Sequence, residues 1–276
     1  MTSRETVKIL EHPKVFQEDA MTEGNLYQVG SGFAVAVSIR SPVKETGNED
    51  AILLAPVEDH VKILAVADGV GGHASGAKAS QKAAQVFKEN IKKLNDASEL
   101  RSEILHAFEA ANEAVLNLGV GAATTFSLVE IHGETLQSYH VGDSLTLLVG
   151  QRGKVKFQSI AHSPVGYGME AGLLNEREAL EHEERHLVSN ILGSKDMRID
   201  VGPKVKMAAK DTLLICSDGV YDNLRLQELV ELIRKGSLTS IAQEMIQKIN
   251  SRMNEIREGQ PSKPDDFTFI LFRQSS

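Results

Sequence analysis

The order in which strand-like and helix-like segments alternate constrains this chain more than any other feature. Residues 33–39, 51–55 and 61–67 are apolar runs of strand length, bounded by turn residues and by a loop over 42–48. Two helical stripes follow, with apolar residues at Ala79, Ala83, Val86, Phe87, Ile91 and Leu94, then at Leu100, Ile104, Phe108, Ala111, Val115 and Leu118. Ser98, with Glu99 in the first turn, is the expected N-cap of the second helix. Strand patterning returns over 122–149, with tight connections at Gly133-Glu134 and Gly142-Asp143-Ser144, and again over 154–160. After a strand at 212–217, stripes recur at Leu226, Leu229, Val230 and Ile233 and at Ile241, Met245, Ile249, Met253 and Ile256, before a final strand at 267–272. Strands, two helices, strands, two helices, strand is the order of an α+β fold. Its expected form is a central antiparallel β-sandwich flanked by pairs of antiparallel helices, in four layers αββα.

Two segments stand outside this pattern. Residues 1–30 are polar and weakly periodic, and read as an N-terminal arm, an edge strand or a partly disordered tail. Residues 163–193 carry Gly166, Gly168 and Gly172 and read as an irregular flap with one short helix around 176–182. No repeat or linker divides the rest, so residues 31–276 are expected to form one domain. At 41% hydrophobic and 25% charged residues, such a domain can bury a core without disulfides. Cys216, the single cysteine, lies inside an apolar run with no base beside it, which favours an inert core thiol over a nucleophile. The net charge of −8, with no cluster of Lys and Arg, argues against a nucleic-acid partner. No long apolar run predicts a membrane partner, and the expected location is the cytoplasm.

The candidate chemistry is acidic. Asp68 follows the run 63–67, Asp218 follows 213–217, and Asp265 precedes 267–272. A carboxylate at the end of a buried strand leaves the core where carbonyls and water can complete an oxygen shell for a hard divalent cation. Taken singly, Asp68-Gly69, Asp218-Gly219 and Asp143 in Gly-Asp-Ser are ordinary turns. Together with Glu49-Asp50 and Asp265-Asp266 they favour one shared acidic cluster. The stretch Gly69-Val70-Gly71-Gly72-His73 either passes close to an ion or cradles a phosphate, but the nucleotide-binding glycine patterns are missing.

Five motifs occur in one order: Asn48-Glu49-Asp50, Ala67-Asp68-Gly69-Val70-Gly71-Gly72-His73, Gly142-Asp143-Ser144, Cys216-Ser217-Asp218-Gly219 and Asp265-Asp266-Phe267-Thr268. As a set they resemble the metal-dependent Ser/Thr protein phosphatases of type 2C, the PPM family, in its bacterial form. The likeness runs from about residue 38 to 272 and takes in the flap, where 182–193 is similar to the family's segment leading to a Leu-Gly turn. The resemblance implies that 31–276 is the catalytic domain, with two Mn²⁺ or Mg²⁺ ions at one end of the sandwich. Asp50 and Asp68 with the Gly69 carbonyl would serve the ions, Asp68 bridging them. Asp218 and Asp265 would complete the shell of one ion, Glu49 would act through bound water, and Asp143 would hold a third, weaker ion. No side chain is the catalytic nucleophile; a hydroxide held between two ions would attack phosphorus. The implied partner is a phosphorylated protein, with a Ser/Thr kinase opposing the reaction.

The chain departs from the family pattern at several points. The arginine commonly placed before the Asn-Glu-Asp motif to bind phosphate is missing, which leaves Arg40 or Lys44 for that role. Val70 stands where many eukaryotic members have a histidine, and His73 is either a helper of the site or a helix cap. Ala161 stands where bacterial relatives have an aspartate, and Asp266 replaces an asparagine, adding charge or capping the turn into the last strand. Two other readings are open: a pseudophosphatase that only binds phosphoproteins, which the retained acids oppose, and a metal-dependent nuclease, which the acidic balance opposes.

Overall fold

The computed structural model describes residues 6–17, 23–70, 74–94, 96–119 and 121–275. In chain order the elements are β1 (Lys8–Leu10), β2 (Lys14–Gln17), β3 (Asn25–Val29), β4 (Gly32–Ile39), β5 (Ala51–Pro56), β6 (Val61–Ala67), β7 (Gly69–Val70), α1 (Ala74–Ile91) and α2 (Leu100–Leu116). There follow β8 (Ala123–Thr124), β9 (Phe126–His132), β10 (Thr135–Val141), β11 (Leu145–Val149), β12 (Val155–Gln158), α3 (Pro164–Glu170) and α4 (Glu176–Glu181). The chain ends with β13 (Asp200–Val201), β14 (Val205–Lys206), β15 (Thr212–Cys216), α5 (Asp218–Tyr221), α6 (Leu226–Ile233), α7 (Leu238–Asn254) and β16 (Phe267–Gln274).

Two sheets result. One runs β1-β3-β4-β16-β15-β11-β12 and the other β13-β10-β9-β6-β5-β2, with β14 also paired to β10. The pairings are antiparallel except β1 with β3, which is parallel. Strand side chains alternate between two buried faces, which is why the runs are continuously apolar rather than alternating with polar residues. In β6, Leu64 and Val66 face the opposite sheet while Ile63, Ala65 and Ala67 face α1 and α2. In β15, Leu213 and Ile215 point between the sheets and Leu214 and Cys216 toward α6 and α7. The four-layer αββα sandwich follows from that doubled burial. Its helical layers are held by large apolar side chains: Phe87 of α1 stacks on Phe126 of β9 with centroids 4.3 Å apart, and Phe108 of α2 meets both edge-on.

Several expected details differ. Within 1–30, β1 and β2 lie at sheet edges and β3 lies between β1 and β4; residues 1–5 and 18–22 are outside the described residues. Ser98 does not cap α2: a 3-10 turn over Ala97–Glu99 precedes the helix, and the Asp96 carboxylate accepts from the Ser98 N–H at 2.8 Å. Leu118 and Ile256 lie past the ends of α2 and α7 and are exposed, so those stripes stop one residue set earlier. The flap holds a second helix, α3, ahead of the expected one. Ser163 caps it by accepting the Gly166 N–H at 2.9 Å, and a Cβ at Gly166 would stand 2.3 Å from the Ala161 carbonyl oxygen. The glycine that reads as a helix breaker is the one small enough to let this helix dock. Among the described residues no helix is long and apolar enough to cross a membrane.

Candidate metal centre

Strand register gathers the acids. Ala51 pairs with Ala67, Leu145 with Cys216, Cys216 with Phe269, and Phe267 with Ile39. Within each sheet the starts of β5, β11 and β16 and the ends of β4, β6 and β15 thus fall at one end, and the Ser217–Asp50 hydrogen bond joins the two sheets there. Asp50, Asp68, Asp143 and Asp265 occupy the loops at that end, and Asp218 opens α5 there. Their fields overlap. Burial, then the charge of Asp266 and further off that of Asp218, push the Asp50 carboxyl up to about 8. Burial and Asp218 raise Asp143 to about 7. Asp68 is raised well above the carboxylate range by desolvation and by Asp50, Asp218, Asp143 and Asp265 together.

The loops that present these acids are wired to the sheets. Ser217 Oγ donates to Asp50 Oδ2 at 3.0 Å and accepts the Thr268 N–H at 2.9 Å. Asn48 Oδ1 accepts the Asp50 N–H at 2.9 Å while its amide donates to Ser38 Oγ at 2.8 Å. Thr125 Oγ1 accepts the Asp68 N–H at 3.1 Å, and the Asp68 carbonyl accepts from Thr124 Oγ1 and the Thr125 N–H. Gly69 sits so close to its neighbours that a Cβ there would fall 2.5 Å from the Gly76 carbonyl carbon and 2.6 Å from the Glu49 carbonyl oxygen. Only glycine lets α1 approach the Asp68–Gly69 turn this closely.

Two lysines pair with the cluster, on different acids. Lys44 Nζ lies 2.6 Å from Glu49 Oε2 and 2.7 Å from Asp266 Oδ2. Asp266 also accepts the N–H groups of Ser41 and Glu49, each at 2.8 Å, so this departure from the family pattern clasps the 41–49 loop. Arg40 is exposed and donates to the Thr46 carbonyl at 3.4 Å. Lys263 Nζ lies 2.7, 2.8 and 3.2 Å from carboxylate oxygens of Asp218, Asp222 and Asp265. Sequence reasoning missed Asp222, Lys263 and the Thr124-Thr125 pair, and gave Ser217, inside one of its motifs, no role of its own. Asp222 was signalled by its place four residues after Asp218, on the same face of one helical turn. Gly71, Gly72 and His73 are outside the described residues. Val70 pairs with Ala123 in the short β7–β8 ladder.

Donor chemistry suits hard divalent cations, since the acids offer oxygen and almost nothing else. Glu49 Oε1 is buried without a hydrogen-bond partner, an oxygen that a cation or its water shell would satisfy. Among the described residues no three His, Cys, Asp or Glu side chains stand as a preformed metal-holding group. The position between Asp218, Asp222 and Asp265 is taken by the Lys263 ammonium. Burial raises the Cys216 thiol, consistent with an inert core residue.

A cavity of about 430 Å³ lies beside Asp143 and Asp222, lined also by Tyr221, Arg185, Ile160, Val165 and Leu180. Both ends of the flap are tied at His162. Its carbonyl accepts from Ser189, and its Nδ1 accepts from the Gly142 N–H at 3.2 Å and the Asn190 amide at 2.8 Å. The loop that carries Asp143 is thereby fixed to the flap base.

The protein phosphatase 2C family model matches residues 42–255. A putative type 2C protein phosphatase of Streptococcus pyogenes is 28% identical over 227 residues, covering 78% of this chain and 92% of that protein. The protein phosphatase PhpP of Streptococcus pneumoniae is 27% identical over 201 residues, covering 69% and 80%. Among solved structures, the serine/threonine phosphatase of S. agalactiae superposes with a TM-score of 0.76 at 25% identity, over 88% of this chain and 99% of that one. The chain belongs to the protein phosphatase 2C family, in its bacterial Ser/Thr phosphatase branch.

Proposed function

We propose that the acid end of the sandwich is the active site of a metal-dependent phosphoprotein phosphatase that hydrolyses phosphoserine and phosphothreonine. The observation that carries this reading is the register that gathers Asp50, Asp68, Asp143, Asp218 and Asp265 at one end of two sheets. In it Asp50, Asp68 and the Gly69 carbonyl, with Asp218 and Asp265, hold two Mn²⁺ or Mg²⁺ ions; Glu49 acts through water, and Asp143 serves a weaker third position. A solved PstP phosphatase in the same fold carries two manganese ions. Bound divalent cations supply the activation of water near neutral pH and the neutralisation of charge on the phosphoryl oxygens.

The chain's own residues do the rest. Ser217 and Asn48 fix Asp50, and Thr124 and Thr125 fix Asp68, so the ligands do not need to reorganise during turnover. Lys44 has three N–H donors, two of them engaged by Glu49 and Asp266, and the third is free for a substrate phosphate. We assign that role to Lys44 ahead of Arg40, which turns to the Thr46 carbonyl. Residues 31–276 act as the catalytic domain, with 1–30 an arm that contributes β1 and β2 at sheet edges and β3 beside β4. The enzyme opposes a Ser/Thr kinase in cytoplasmic signalling, with neither nucleic acid nor membrane as partner. The test is hydrolysis of a phosphothreonine peptide by the full chain, expected with Mn²⁺ or Mg²⁺ and stopped by EDTA, with Lys44→Gln raising KM. No release of phosphate with either metal would overturn the assignment.

A further inference from the structure

Lys263 is held where a metal ligand shell would otherwise close. The Lys263 ammonium is surrounded by carboxylates of three residues: it donates a hydrogen bond to Asp218 at 2.7 Å and pairs with Asp222 at 2.8 Å and Asp265 at 3.2 Å. The placement is built by the backbone. Asn223, fully buried at the end of α5, accepts the Lys263 N–H at 2.9 Å and donates its amide to the Lys263 carbonyl at 2.8 Å and to the Gly219 carbonyl at 2.9 Å. The same side chain therefore ties the lysine to the turn that presents Asp218. Lys44 differs, because it pairs with Glu49 and Asp266, neither of which is assigned to bind an ion directly.

Two of the three carboxylates that Lys263 engages are the ones assigned above to a single ion. A carboxylate oxygen 2.7 Å from an ammonium is directed at that ammonium, so an ion entering the Asp218–Asp265 position must displace it. We propose that Lys263 is a tethered cation competing with one of the two divalent ions for Asp218 and Asp265, and that it sets the metal concentration at which this position fills. The inference rests on the two-ion reading above. Asp222 completes the device: it is buried, it bonds Lys263, and it lies 3.8 Å from Arg185 of the flap, so it can retain a cationic partner when Lys263 moves aside.

Titration of the EDTA-stripped full chain with Mn²⁺ by calorimetry tests this. Lys263→Met is expected to bind one Mn²⁺ about tenfold more tightly than wild type, the order of effect for removing one close charge competitor. Lys263→Arg, which keeps the charge, should stay near wild type, and Asn223→Ala, which frees the tether, should fall between them. In thermal melts, Lys263→Met should unfold at a lower temperature than wild type in EDTA and gain more on adding Mn²⁺. If Lys263→Met needs metal to fold, Asn223→Ala carries the comparison. Wild type binding two ions with Lys263→Met and Asn223→Ala no tighter overturns the competition alone. Wild type binding no Mn²⁺ overturns the two-ion reading and this inference with it.

Discussion

The two ends of the sandwich bury charge in opposite ways. At the acid end, like charges crowd together and raise one another's proton affinity. At the other end a single lysine, Lys62 of β6, is fully buried, with its ammonium donating to Ser31 Oγ at 2.8 Å and Gln274 Oε1 at 3.2 Å beside the Phe272 ring. Burial lowers the proton affinity of that lysine. One ammonium can be satisfied by two neutral oxygens with the charge of Asp59 acting on it as well. Five carboxylates are satisfied by protons, by Lys263 on two of them, or by metal cations, so the acid end carries an electrostatic cost in the free chain that a bound divalent cation relieves. A site for function and a site for structure are distinguished here by whether the protein's own partners suffice: Lys263 and Lys44 balance part of the acid end and leave Asp50, Asp68 and Asp143 without an ion-paired cation among the described residues.

The largest effect should come from Asp68→Asn. It removes the proposed bridging ligand, and phosphopeptide hydrolysis should fall at least ~10³-fold in kcat/KM, about 4 kcal/mol. The same substitution removes the carboxylate that feels four others, so in EDTA the variant should melt at or above the wild-type temperature. Loss of activity accompanied by a lower melting temperature in EDTA would mean that the acids are not in mutual repulsion, and the contrast between the ends would fail.

Much of this was legible in the sequence for a physical reason. Strands buried on both faces announce themselves as unbroken apolar runs, and acids at the ends of several such runs, each an ordinary turn by itself, point together to one cluster. Asp68, Asp218 and Asp265 stood out on that ground, and Asp50 and Asp143 through their motifs. The contacts that escaped notice span a distance along the chain. Ser217 bonds Asp50 across 167 positions, and Thr125 holds Asp68 across 57. Small hydroxyl residues at turns are too common to signal such a bond. Lys263 was hidden because a lysine in a polar loop reads as solvated, and only the closure of Asn223 on its backbone turns it inward. Helix α3 was hidden because Gly166 weighs against helix in isolation, whereas the tertiary contact with Ala161 requires it.

A second, smaller effect separates the ends by pH. Asp50 in the folded chain holds its proton up to about 8, through burial first and the charge of Asp266 next, against an ordinary value near 3.8. Between those values the unfolded chain is ionised while the folded chain is not, so the folded state binds more protons. Stability of the EDTA-treated protein must then fall as pH rises through that window. Between pH 5 and 7 Asp50→Asn should remove about 2 kcal/mol of this decline, taking ~1.4 kcal/mol per unit and discounting for shared protons among the neighbours. Urea unfolding at the two pH values reads it. Equal slopes in wild type and variant would show that Asp50 ionises freely in the fold.

Lys62 should give the smallest effect and the opposite slope. Its folded proton affinity lies below the ordinary 10.5, so at alkaline pH the folded chain releases the proton before the unfolded chain does, and stability contributed by this residue rises with pH. Lys62→Met fills the same volume without a charge. At pH 7 it should stabilise by about 1 kcal/mol or less, because relief from burying the ammonium is partly offset by losing its two hydrogen bonds. That advantage should shrink as pH rises toward 10, where the wild-type lysine is increasingly neutral when folded. Phosphatase activity should not change, because Lys62 lies at the end of β6 opposite Asp68. An advantage that persists unchanged to pH 10 would mean that Lys62 is fully charged in the fold. The distal end would then tolerate a buried ammonium on two neutral acceptors and the charge of Asp59, and the acid end would owe its cost to the number of its charges rather than to their burial.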